Sequence, residues 1–316
     1  MGDILVIGSM NVDMTVRVKE LPKAGETVLA QNMSYGLGGK GANQAFAAAR
    51  LGGKVRMLGC VGDDDFGRKQ LQALKGEGVD VSGIRVDRTV STGSAFICVE
   101  ENGSNCIVVN QGANLSCDES YLARQREMIF SSDIILAQME IPEEALYRAI
   151  EEAGLAGRKI ILNPAPAPER IPDNVCRWLD YLTPNETELM RLCGMEETLA
   201  DGDDYREALE EGAGMLLDRG VKTIIVTLGD KGCGVFKKGH TTYYPAKPVK
   251  AVDTTAAGDC FNGAFAVALS EGMTEPEAVE FAICASAIAV TRNGAQESLP
   301  LRSEVEELNG TAQKAV

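Results

Sequence analysis

The sequence predicts an α/β protein with a three-layer αβα arrangement, in which a mostly parallel β-sheet lies between helices and a small antiparallel β-sheet forms a lid. Two observations lead to this fold class. Short runs rich in β-branched residues alternate with helical patterns along almost all of the 316 residues, and such alternation is typical of a parallel sheet with helices on its faces. Two stretches near the N-terminus break the alternation and favour antiparallel pairs.

The elements of the main sheet follow from local patterns. The strand runs cover residues 4–8, 54–62, 133–140, 159–166, 181–185 and 223–229. The segments between them are apolar at helical spacing, and several end at Gly. These predicted helices cover residues 42–52, 66–78, 143–154, 186–194 and 205–220.

The lid is predicted from residues 12–35 and 94–110. The first segment alternates apolar and polar side chains around a Pro-Lys-Ala-Gly turn, and the second contains two strands joined at Asn102-Gly103, a strong hairpin signal. The exposed edges of such strands also predict a homodimer through the lid sheet, so a subunit contact is an alternative role for this outgrowth. Because there is no repeat or linker, residues 1–316 are expected to form a single domain.

Composition limits the partners. Hydrophobic residues make up 45% and charged residues 24% of the chain, as in an ordinary globular protein. The net charge of −15 argues against nucleic acid or an anionic membrane as the main partner. Nine cysteines without a signal peptide or a C-x-x-C pair, and a single histidine, His240, argue against disulfides and zinc. We therefore expect a cytoplasmic protein with reduced cysteines.

A first glycine motif, GLGGKG, places Gly36, Gly38 and Gly41 at the spacing of the dinucleotide-binding fingerprint. Asp63 lies about twenty residues further on, where that fingerprint expects a ribose-binding acid. In a dinucleotide fold, however, the glycine loop directly follows the first strand. Here an extended segment lies between the two, which argues against an NAD site.

A second glycine motif occupies residues 252–272, where a helix is predicted from about 256 to 269. The amides of Ala256, Ala257 and Gly258 at its start are expected to be unpaired, and with the helix dipole they would form an anion hole. Asp259 in the first turn fits a base that accepts a proton from a hydroxyl attacking phosphorus. The dipole is expected to keep its pKa low, and positioning then outweighs proton removal. The alternative is that Asp259 only complements the dipole.

Two further motifs point to a nucleotide at the carboxyl ends of the strands, where open α/β sheets bind ligands. TPNETE places Asn185 and Glu188 one turn apart on a helix, although the same pair could be a capping box. TLGDKG, residues 227–232, ends a strand in a glycine turn, which could be a simple β-turn.

Together these motifs resemble the ribokinase and adenosine-kinase-like sugar kinase family over nearly the whole chain. The resemblance rests on several motifs in order: N-V-D at 11–13, GGKGANQA at 38–45, GDDDFG at 62–67, TPNETE, TLGDKG, DTTAAGD at 253–259 and AVTRNGAQES at 289–298. It implies ATP-dependent phosphorylation of D-ribose at its 5-hydroxyl. Asp259 would be the base, and the anion hole would stabilise the γ-phosphoryl group.

The resemblance also implies roles for the other site residues. The sugar would be held by Asn11, Asp13, Gly39, Lys40, Gly41, Asn43 and Glu140. The residues that would bind ATP and the hydration shell of Mg²⁺ are Asn185, Glu188, Thr227, Gly229, Gly232 and Gly258. A K⁺ ion would be bound by the side chains of Asp253 and Ser298 and by carbonyls of Thr255, Ala289, Arg292 and Gly294. Cys260 is a slight departure, since the family more often has a hydroxyl residue there.

Several alternatives remain open. The chain could be a kinase for deoxyribose, another pentose or a nucleoside, because pocket volume cannot be determined from sequence. A non-catalytic sugar-binding regulator belongs to a different class, and the intact Asp259 with its anion hole argues against it. An NAD-dependent oxidoreductase is the third hypothesis.

Overall fold

The computed structural model describes residues 2–102, 104–195 and 203–313. Numbered in chain order, the strands are β1 (Asp3–Ile7), β2 (Asn11–Val18), β3 (Asn32–Gly38), β4 (Lys54–Leu58), β5 (Cys60–Gly62), β6 (Arg85–Asp87), β7 (Gly93–Glu100), β8 (Asn105–Asn110), β9 (Ile134–Gln138), β10 (Lys159–Asn163), β11 (Tyr181–Leu182), β12 (Thr223–Thr227), β13 (Cys233–Lys237) and β14 (His240–Tyr244). The helices are α1 (Lys40–Arg50), α2 (Asp65–Gly76), α3 (Glu119–Arg124), α4 (Arg126–Ser131), α5 (Glu143–Leu155), α6 (Asp173–Cys176), α7 (Glu186–Cys193), α8 (Asp203–Asp218), α9 (Ala257–Ser270), α10 (Glu275–Ala289) and α11 (Arg302–Gln313). Every helix in this part of the chain is too short or too polar to cross a lipid bilayer.

The main sheet has the strand order β14-β13-β12-β11-β10-β9-β1-β4. The pairs from β4 to β12 are parallel, and the last two pairs, which join β12, β13 and β14, are antiparallel. This confirms the mostly parallel sheet. The antiparallel edge made by β13 and β14 was not predicted, and it lies at the end of the sheet beyond the predicted strands.

The core lies on both faces of this sheet, because its central strands are buried on both sides. Leu5 and Ile7 of β1 pack with the cluster that contains α5, α7 and α8. Ile4 and Val6 point the other way, into the cluster that contains α1, α9 and α10. The alternation along one strand thus builds the two helical layers of the αβα arrangement.

Close packing of α1 against α9 sets up the site. A Cβ atom on Gly263 of α9 would lie 2.8 Å from the Cβ of Ala47 and 2.8 Å from the carbonyl oxygen of Gln44. A larger side chain would force the two helices apart. Their N-terminal ends therefore meet beside the carboxyl ends of β9 and β10.

The smaller sheet has the order β3-β2-β7-β8 and confirms the predicted second sheet. Its outer pairs, β2 with β3 and β7 with β8, are antiparallel, whereas the central pair, β2 with β7, runs parallel from Asn11↔Gly93 onward. The hairpin predicted around residue 102 is present, although Gly103 itself lies outside the described residues. We call β3-β2-β7-β8 the lid sheet.

One predicted strand is divided in two. Residues 54–62 form β4 and β5, and β5 pairs with β6 in a separate two-stranded sheet. The break falls at Gly59, whose amide donates to the Tyr121 hydroxyl at 3.0 Å instead of to a neighbouring strand. A Cβ there would lie 2.5 Å from the carbonyl oxygen of Gly8, so the chain approaches the end of β1 closely at this point.

Candidate functional site

The first glycine loop joins the lid sheet to the main domain. Gly39 precedes α1 with φ 88°, a left-handed conformation that favours glycine. A Cβ on Gly39 would lie 2.6 Å from the Asn11 amide, and one on Gly41 would lie 2.6 Å from the Ser9 amide. The loop therefore packs directly on the turn that follows β1, and the start of α1 is brought to the edge of the main sheet. The extended lid strands between β1 and this loop agree with the argument against a dinucleotide fold.

Asp259 lies in the first turn of α9 and is buried, with 7% of its surface exposed. Its carboxylate accepts hydrogen bonds from Asn43 Nδ2 at 2.9 Å and from Gln44 Nε2 at 3.0 Å. Burial raises the pKa of Asp259, while Lys40 and the two amide donors oppose that rise. The expected low pKa was therefore wrong, because burial outweighs the positive end of the helix at this position.

The start of α9 carries the expected unpaired amides, with one correction. Among the described residues, the amides of Ala256, Gly258 and Asp259 have no acceptor, whereas that of Ala257 donates to the Thr254 carbonyl at 3.2 Å. Ala256 has φ 59°, an unusual conformation for alanine. The space beside Gly258 is open, since an added Cβ would have no neighbour within 4 Å. The anion hole thus consists of residues 256, 258 and 259.

Four ionisable side chains predicted to bind the sugar or carry out the chemistry converge here. Burial, followed by the charges of Glu140 and Asp259, raises the pKa of Asp13 to about 6. Burial alone would lower the pKa of Lys40, but nearby carboxylates, with Asp259 and Glu140 contributing most, raise it above its usual value. The site therefore holds Lys40 as a cation among several carboxylates.

The remaining predicted sugar residues surround this cluster. Glu140 accepts hydrogen bonds from the Lys40 amide at 3.1 Å and from the Ser9 hydroxyl, so it holds the first turn of α1 in place. Asn43 is buried, and its Oδ1 has no hydrogen-bond partner. The side-chain oxygen of Asn11 already has a partner within the protein, since Asn114 Nδ2 donates to it at 2.7 Å. An unpaired buried oxygen such as Asn43 Oδ1 is a position where a ligand hydroxyl can donate.

Two adjoining cavities lie in front of α9. A polar cavity of about 200 Å³ is lined by side chains that include Lys40, Glu188 and Asp259. A larger cleft of about 410 Å³ is walled mostly by apolar residues, Val249, Phe261, Ile283, Ala287 and Val290 among them. Thr227, Thr254, Ala257 and Gly258 line both. A ligand with one polar and one flat apolar part could therefore extend from one cavity into the other, past the unpaired amides.

Asn185 and Glu188 do form the capping box that the sequence left open. Asn185 Oδ1 accepts from the Glu188 amide, and Glu188 Oε2 accepts from the Asn185 amide, both at 2.8 Å. Both residues also line the polar cavity, and burial raises the pKa of Glu188. Capping uses one oxygen of each side chain, so the remaining polar atoms are available to a ligand. Gly229 and Gly232 of the TLGDKG motif line the apolar cleft.

Some of the residues predicted to hold a cation are joined by hydrogen bonds, and others bond to neighbours outside the predicted set. Asp253 accepts hydrogen bonds from the Thr255 amide at 2.9 Å and hydroxyl at 2.6 Å, and from the Gly294 amide at 3.0 Å. Ser298 donates to the Ala295 carbonyl at 2.7 Å, and the Ala289 carbonyl accepts from the Arg292 amide at 3.1 Å. The described residues contain no group of three or more His, Cys, Asp or Glu side chains that could hold a metal. Carboxylate and carbonyl oxygens have further lone pairs, so these partners do not prevent cation binding.

The sequence did not identify a buried polar network behind Asp259. Gln44 Nε2 also donates to Asn163 Oδ1 at 3.2 Å, and its Oε1 accepts from Gln138 Nε2 at 2.7 Å. Gln138 and Asn163 are the last residues of β9 and β10, and both are buried. A polar residue at the carboxyl end of an otherwise apolar strand is the signal that could have identified them.

The same network continues toward the nucleotide motif. Asn163 Nδ2 donates to the Thr183 carbonyl at 2.9 Å, and the Thr183 hydroxyl donates to Asn262 Oδ1 at 2.6 Å. Asn262 Nδ2 then donates to the Gly258 carbonyl at 2.9 Å. The first turn of α9 is therefore held from the strand ends, with the Gly258 amide left unpaired on its other side.

Several known proteins with similar sequences and structures are sugar kinases. The profile of the pfkB family carbohydrate kinases matches residues 1–302. A ribokinase from Haemophilus influenzae is 41% identical over 301 residues, covering 95% of this chain and 96% of that protein. A deoxyribokinase from Salmonella typhi is 38% identical over 298 residues, covering 94% and 95%. The structure of Arabidopsis thaliana ribokinase complexed with ribose and ATP superposes with a TM-score of 0.90 at 34% identity, covering 97% of this chain and 98% of that one.

The charge on Asp13 is expected to lower the stability of the free protein. Its pKa rises from 3.8 to about 6 on folding, so the stability gained by protonation is present below about pH 4 and lost as the pH rises through about 6. Asp13→Asn should therefore raise the free energy of unfolding by about 1–3 kcal/mol at about pH 7.5. Denaturant unfolding of both proteins from about pH 3.5 to 7.5 measures the difference.

The matched control is Glu20→Gln, which changes an exposed carboxylate in the segment between β2 and β3. This variant should track the wild type at every pH. An Asp13→Asn protein that is no more stable than the wild type at neutral pH would contradict the assignment of a buried charge.

Proposed function

The chain belongs to the pfkB family of carbohydrate kinases, and on that basis we propose that it transfers the γ-phosphoryl group of ATP to the 5-hydroxyl of D-ribose. The observation that carries this proposal is the position of Asp259. Its buried carboxylate lies beside the unpaired amides of Ala256 and Gly258, at the junction of a polar and an apolar cavity. The proposed base, the anion-binding amides and the two cavities thus meet at the N-terminal end of α9.

Asp259 accepts the proton of the sugar hydroxyl as its oxygen attacks the γ-phosphorus. Burial raises the pKa of this carboxyl, which makes it a stronger base than a surface aspartate. The amides of Ala256 and Gly258 donate to the equatorial oxygens of the transferred group, where charge is spread in the transition state. Ala257 holds the turn through Thr254. Lys40, kept charged by its carboxylate neighbours, adds a positive charge on the sugar side.

The sugar is held by polar groups beside Lys40 and Asp259, where the polar cavity ends. The unpaired Asn43 Oδ1 accepts a hydrogen bond from a sugar hydroxyl, and Asp13 and Glu140 accept from others. Gly39 and Gly41 let the loop lie close to the turn after β1, which leaves room for a small polyol. Asn11 acts mainly by fixing the start of the lid sheet. A substrate with several hydroxyls and no large substituent fits this set of partners.

The nucleotide lies across the two cavities in this proposal. The apolar cleft between Val249 and Val290 accommodates the base, and Gly229 and Gly232 leave room for the ribose. Asn185, Glu188 and Thr227 line the path of the phosphates. The second carboxylate oxygen of Glu188 and the Nδ2 group of Asn185 fit the hydration shell of Mg²⁺, which would neutralise phosphate charge. Oxygens of Asp253, Thr255, Ala289, Arg292, Gly294 and Ser298 would hold K⁺ next to the anion hole.

A kinase for deoxyribose is the second candidate, because the deoxyribokinase from Salmonella typhi matches over nearly the whole chain. A kinase for another pentose or for a nucleoside would use the same base and amides. A non-catalytic sugar-binding regulator would have no use for the buried base.

We also propose that residues 1–316 act as one kinase domain in the cytoplasm, as a homodimer joined through the lid sheet. All nine cysteines are free, in keeping with a reducing compartment. The lid face that carries Asp13 also carries Ile97, Ile107 and Val109, as the strand registers require. Ile107 and Val109 are more than half exposed. Because this face lies over the sugar, a second chain packed on its outer part would complete the lid.

The first test of the proposal is ADP release from ATP and Mg²⁺ with ribose, deoxyribose, other pentoses and nucleosides, in potassium and in sodium. Ribose should give the highest kcat/KM, and potassium should stimulate turnover. Asp259→Asn should lower kcat about 10²–10⁴-fold, the range for loss of a general base. Asp65→Asn, on the exposed start of α2, is the control and should retain full activity.

Each outcome of this assay has a clear meaning. Greater turnover of deoxyribose or of a nucleoside would keep Asp259 as the base and replace ribose as the substrate. Ribose binding without any turnover would support the regulator instead. Full activity in Asp259→Asn would refute the assignment of the base.

A second prediction concerns Gln44. Gln44→Met removes one hydrogen-bond donor to the Asp259 carboxylate. Because this donor lowers the pKa of Asp259 while burial raises it, losing the donor should raise the pKa further. A hydrogen bond to a charged group contributes about 1.5–3 kcal/mol, and about 1.4 kcal/mol corresponds to one pKa unit. The acid limb of the kcat–pH profile should therefore move up by about one to two pH units.

Thr183→Val is the matched control for Gln44→Met. It removes the hydroxyl that donates to Asn262 Oδ1 at 2.6 Å and to the Leu162 carbonyl at 3.4 Å, and neither contact involves Asp259. It should lower stability without moving the acid limb. If the acid limb of the kcat–pH profile does not move in Gln44→Met, Gln44 contributes only to the packing of α1.

The dimer is tested by changing one residue on each face of the lid sheet. Ile107→Lys should raise the dissociation constant measured by sedimentation equilibrium at least about tenfold, since burying an unpaired charge costs more than 1.4 kcal/mol. Val108→Lys, whose side chain lies on the opposite face, should leave it unchanged. The reverse result would place the contact on the outer face, and a wild-type monomer at all concentrations would refute the dimer.

A further inference from the structure

Two cysteines face each other across the hairpin at the edge of the lid sheet. Cys98 of β7 is directly opposite Cys106 of β8 in the strand register. Both are free thiols, and Cys106 is exposed while Cys98 is partly buried. They lie on the face of the sheet that carries Phe96 and Val108, opposite to the face we propose for the subunit contact.

The geometry of this pair allows a covalent bond. The Glu100 amide donates to the Ser104 carbonyl at 2.8 Å, so residues 98 and 106, two positions further along each strand, form a hydrogen-bonded pair. The Cα atoms of such a pair lie about 5.5 Å apart, inside the range of about 4.4–6.8 Å found for disulfides. Opposite Cβ atoms are about 4.5–5.5 Å apart, slightly more than the spacing a disulfide prefers. The resulting bond would be strained and readily reduced.

The other seven cysteines provide a contrast within the same chain. Six of them are buried, namely Cys60, Cys117, Cys176, Cys233, Cys260 and Cys284. Cys193 is partly buried, and its Sγ donates to the Gly212 carbonyl at 3.2 Å. Cys60 and Cys117 also contact each other, but a small oxidant in solution cannot reach them. The Cys98–Cys106 pair combines proximity with access.

We propose that Cys98 and Cys106 form a reversible intramolecular disulfide by exchange with a low-molecular-weight disulfide such as oxidised glutathione. The Cys106 thiolate attacks one sulfur of glutathione disulfide, forms a mixed disulfide and releases one glutathione. The Cys98 thiol then loses its proton to water, and the resulting thiolate attacks Cys106 Sγ and releases the second glutathione. Two electrons pass from the cysteines to glutathione disulfide. This site does not depend on the proposed phosphoryl transfer.

The order of the two steps follows from exposure. Thiol–disulfide exchange requires a thiolate and access to the attacking sulfur. Cys106 is the exposed partner and meets the oxidant first. Burial, together with the Cys106 thiol, raises the pKa of Cys98, so Cys98 suits the second step, in which its target lies directly beside it.

The bond would fasten the edge of the lid sheet. β8 is held to the rest of the sheet only through β7, and all six of its residues are exposed. β7 is in turn paired with β2, which carries Asp13. A cross-link between positions 98 and 106 would therefore suppress local opening of β8.

The experiment incubates the full-length protein with oxidised glutathione and follows it by intact mass and peptide mapping. The expected product has lost two hydrogen atoms, contains a Cys98–Cys106 peptide pair and returns to the starting mass with dithiothreitol. Hydrogen exchange of the amides in Asn105–Asn110 should slow at least about tenfold in the oxidised protein and recover on reduction, as local opening is suppressed.

Two variants separate the steps. Cys98→Ser should stop at a stable glutathione adduct on Cys106, whereas Cys193→Ser should form the intramolecular bond like the wild type. The proposal is overturned if the wild type is unreactive, retains glutathione on Cys106, or joins two chains through Cys106. Formation of the bond without slower exchange in β8 would overturn the proposed effect on the lid.

Discussion

The burial of one carboxylate, that of Asp259, governs the arrangement of this molecule. A buried charge is costly unless it is paired and hydrogen-bonded, so the fold must bring donors to it. Asn43 and Gln44 come from α1, and the packing of α1 on α9 at Gly263 brings them within reach. The orientation of Gln44 follows from this need. Its Nε2 must face the carboxylate, so its Oε1 faces Gln138, and the strand ends become part of the site.

The same constraint explains why the site has polar atoms left over. Since Gln138 presents its Nε2 to Gln44, its own Oε1 is left without a partner, as is Asn43 Oδ1. Burial of Asp13, followed by the charges of the nearby carboxylates, raises its pKa. A fold optimised for stability alone would remove these features. Under the proposed function, a ligand hydroxyl would provide the partner that Asn43 Oδ1 lacks, so that stability is exchanged for binding.

Much of this could be predicted from sequence, because the patterns involved are local. The β-branched runs predicted the strands, and the glycine motif before Asp259 predicted an anion hole at a helix start. The pKa of Asp259 was predicted in the wrong direction, since the helix dipole can be inferred from sequence whereas burial cannot. Gln44 was missed because its partners are far away in the chain. The parallel pairing of β2 with β7 also depends on contacts between distant segments, which periodicity does not record.

The root of the lid sheet is built differently from its outer part. At the root, Gln70 Nε2 donates to the carbonyls of Asn11 and Gly38, so β2 and β3 are fixed by one buried side chain. Gly93, opposite Asn11, has no space for a Cβ, which would lie 2.2 Å from Asn11 Oδ1. Further out, β8 is exposed at every residue. Because these buried polar contacts lie at the root, we expect the outer strands of the lid sheet to bend more easily than its root. Under the proposed function, the sugar-binding groups near Asn11 would then keep their positions while the outer strands changed access to the site.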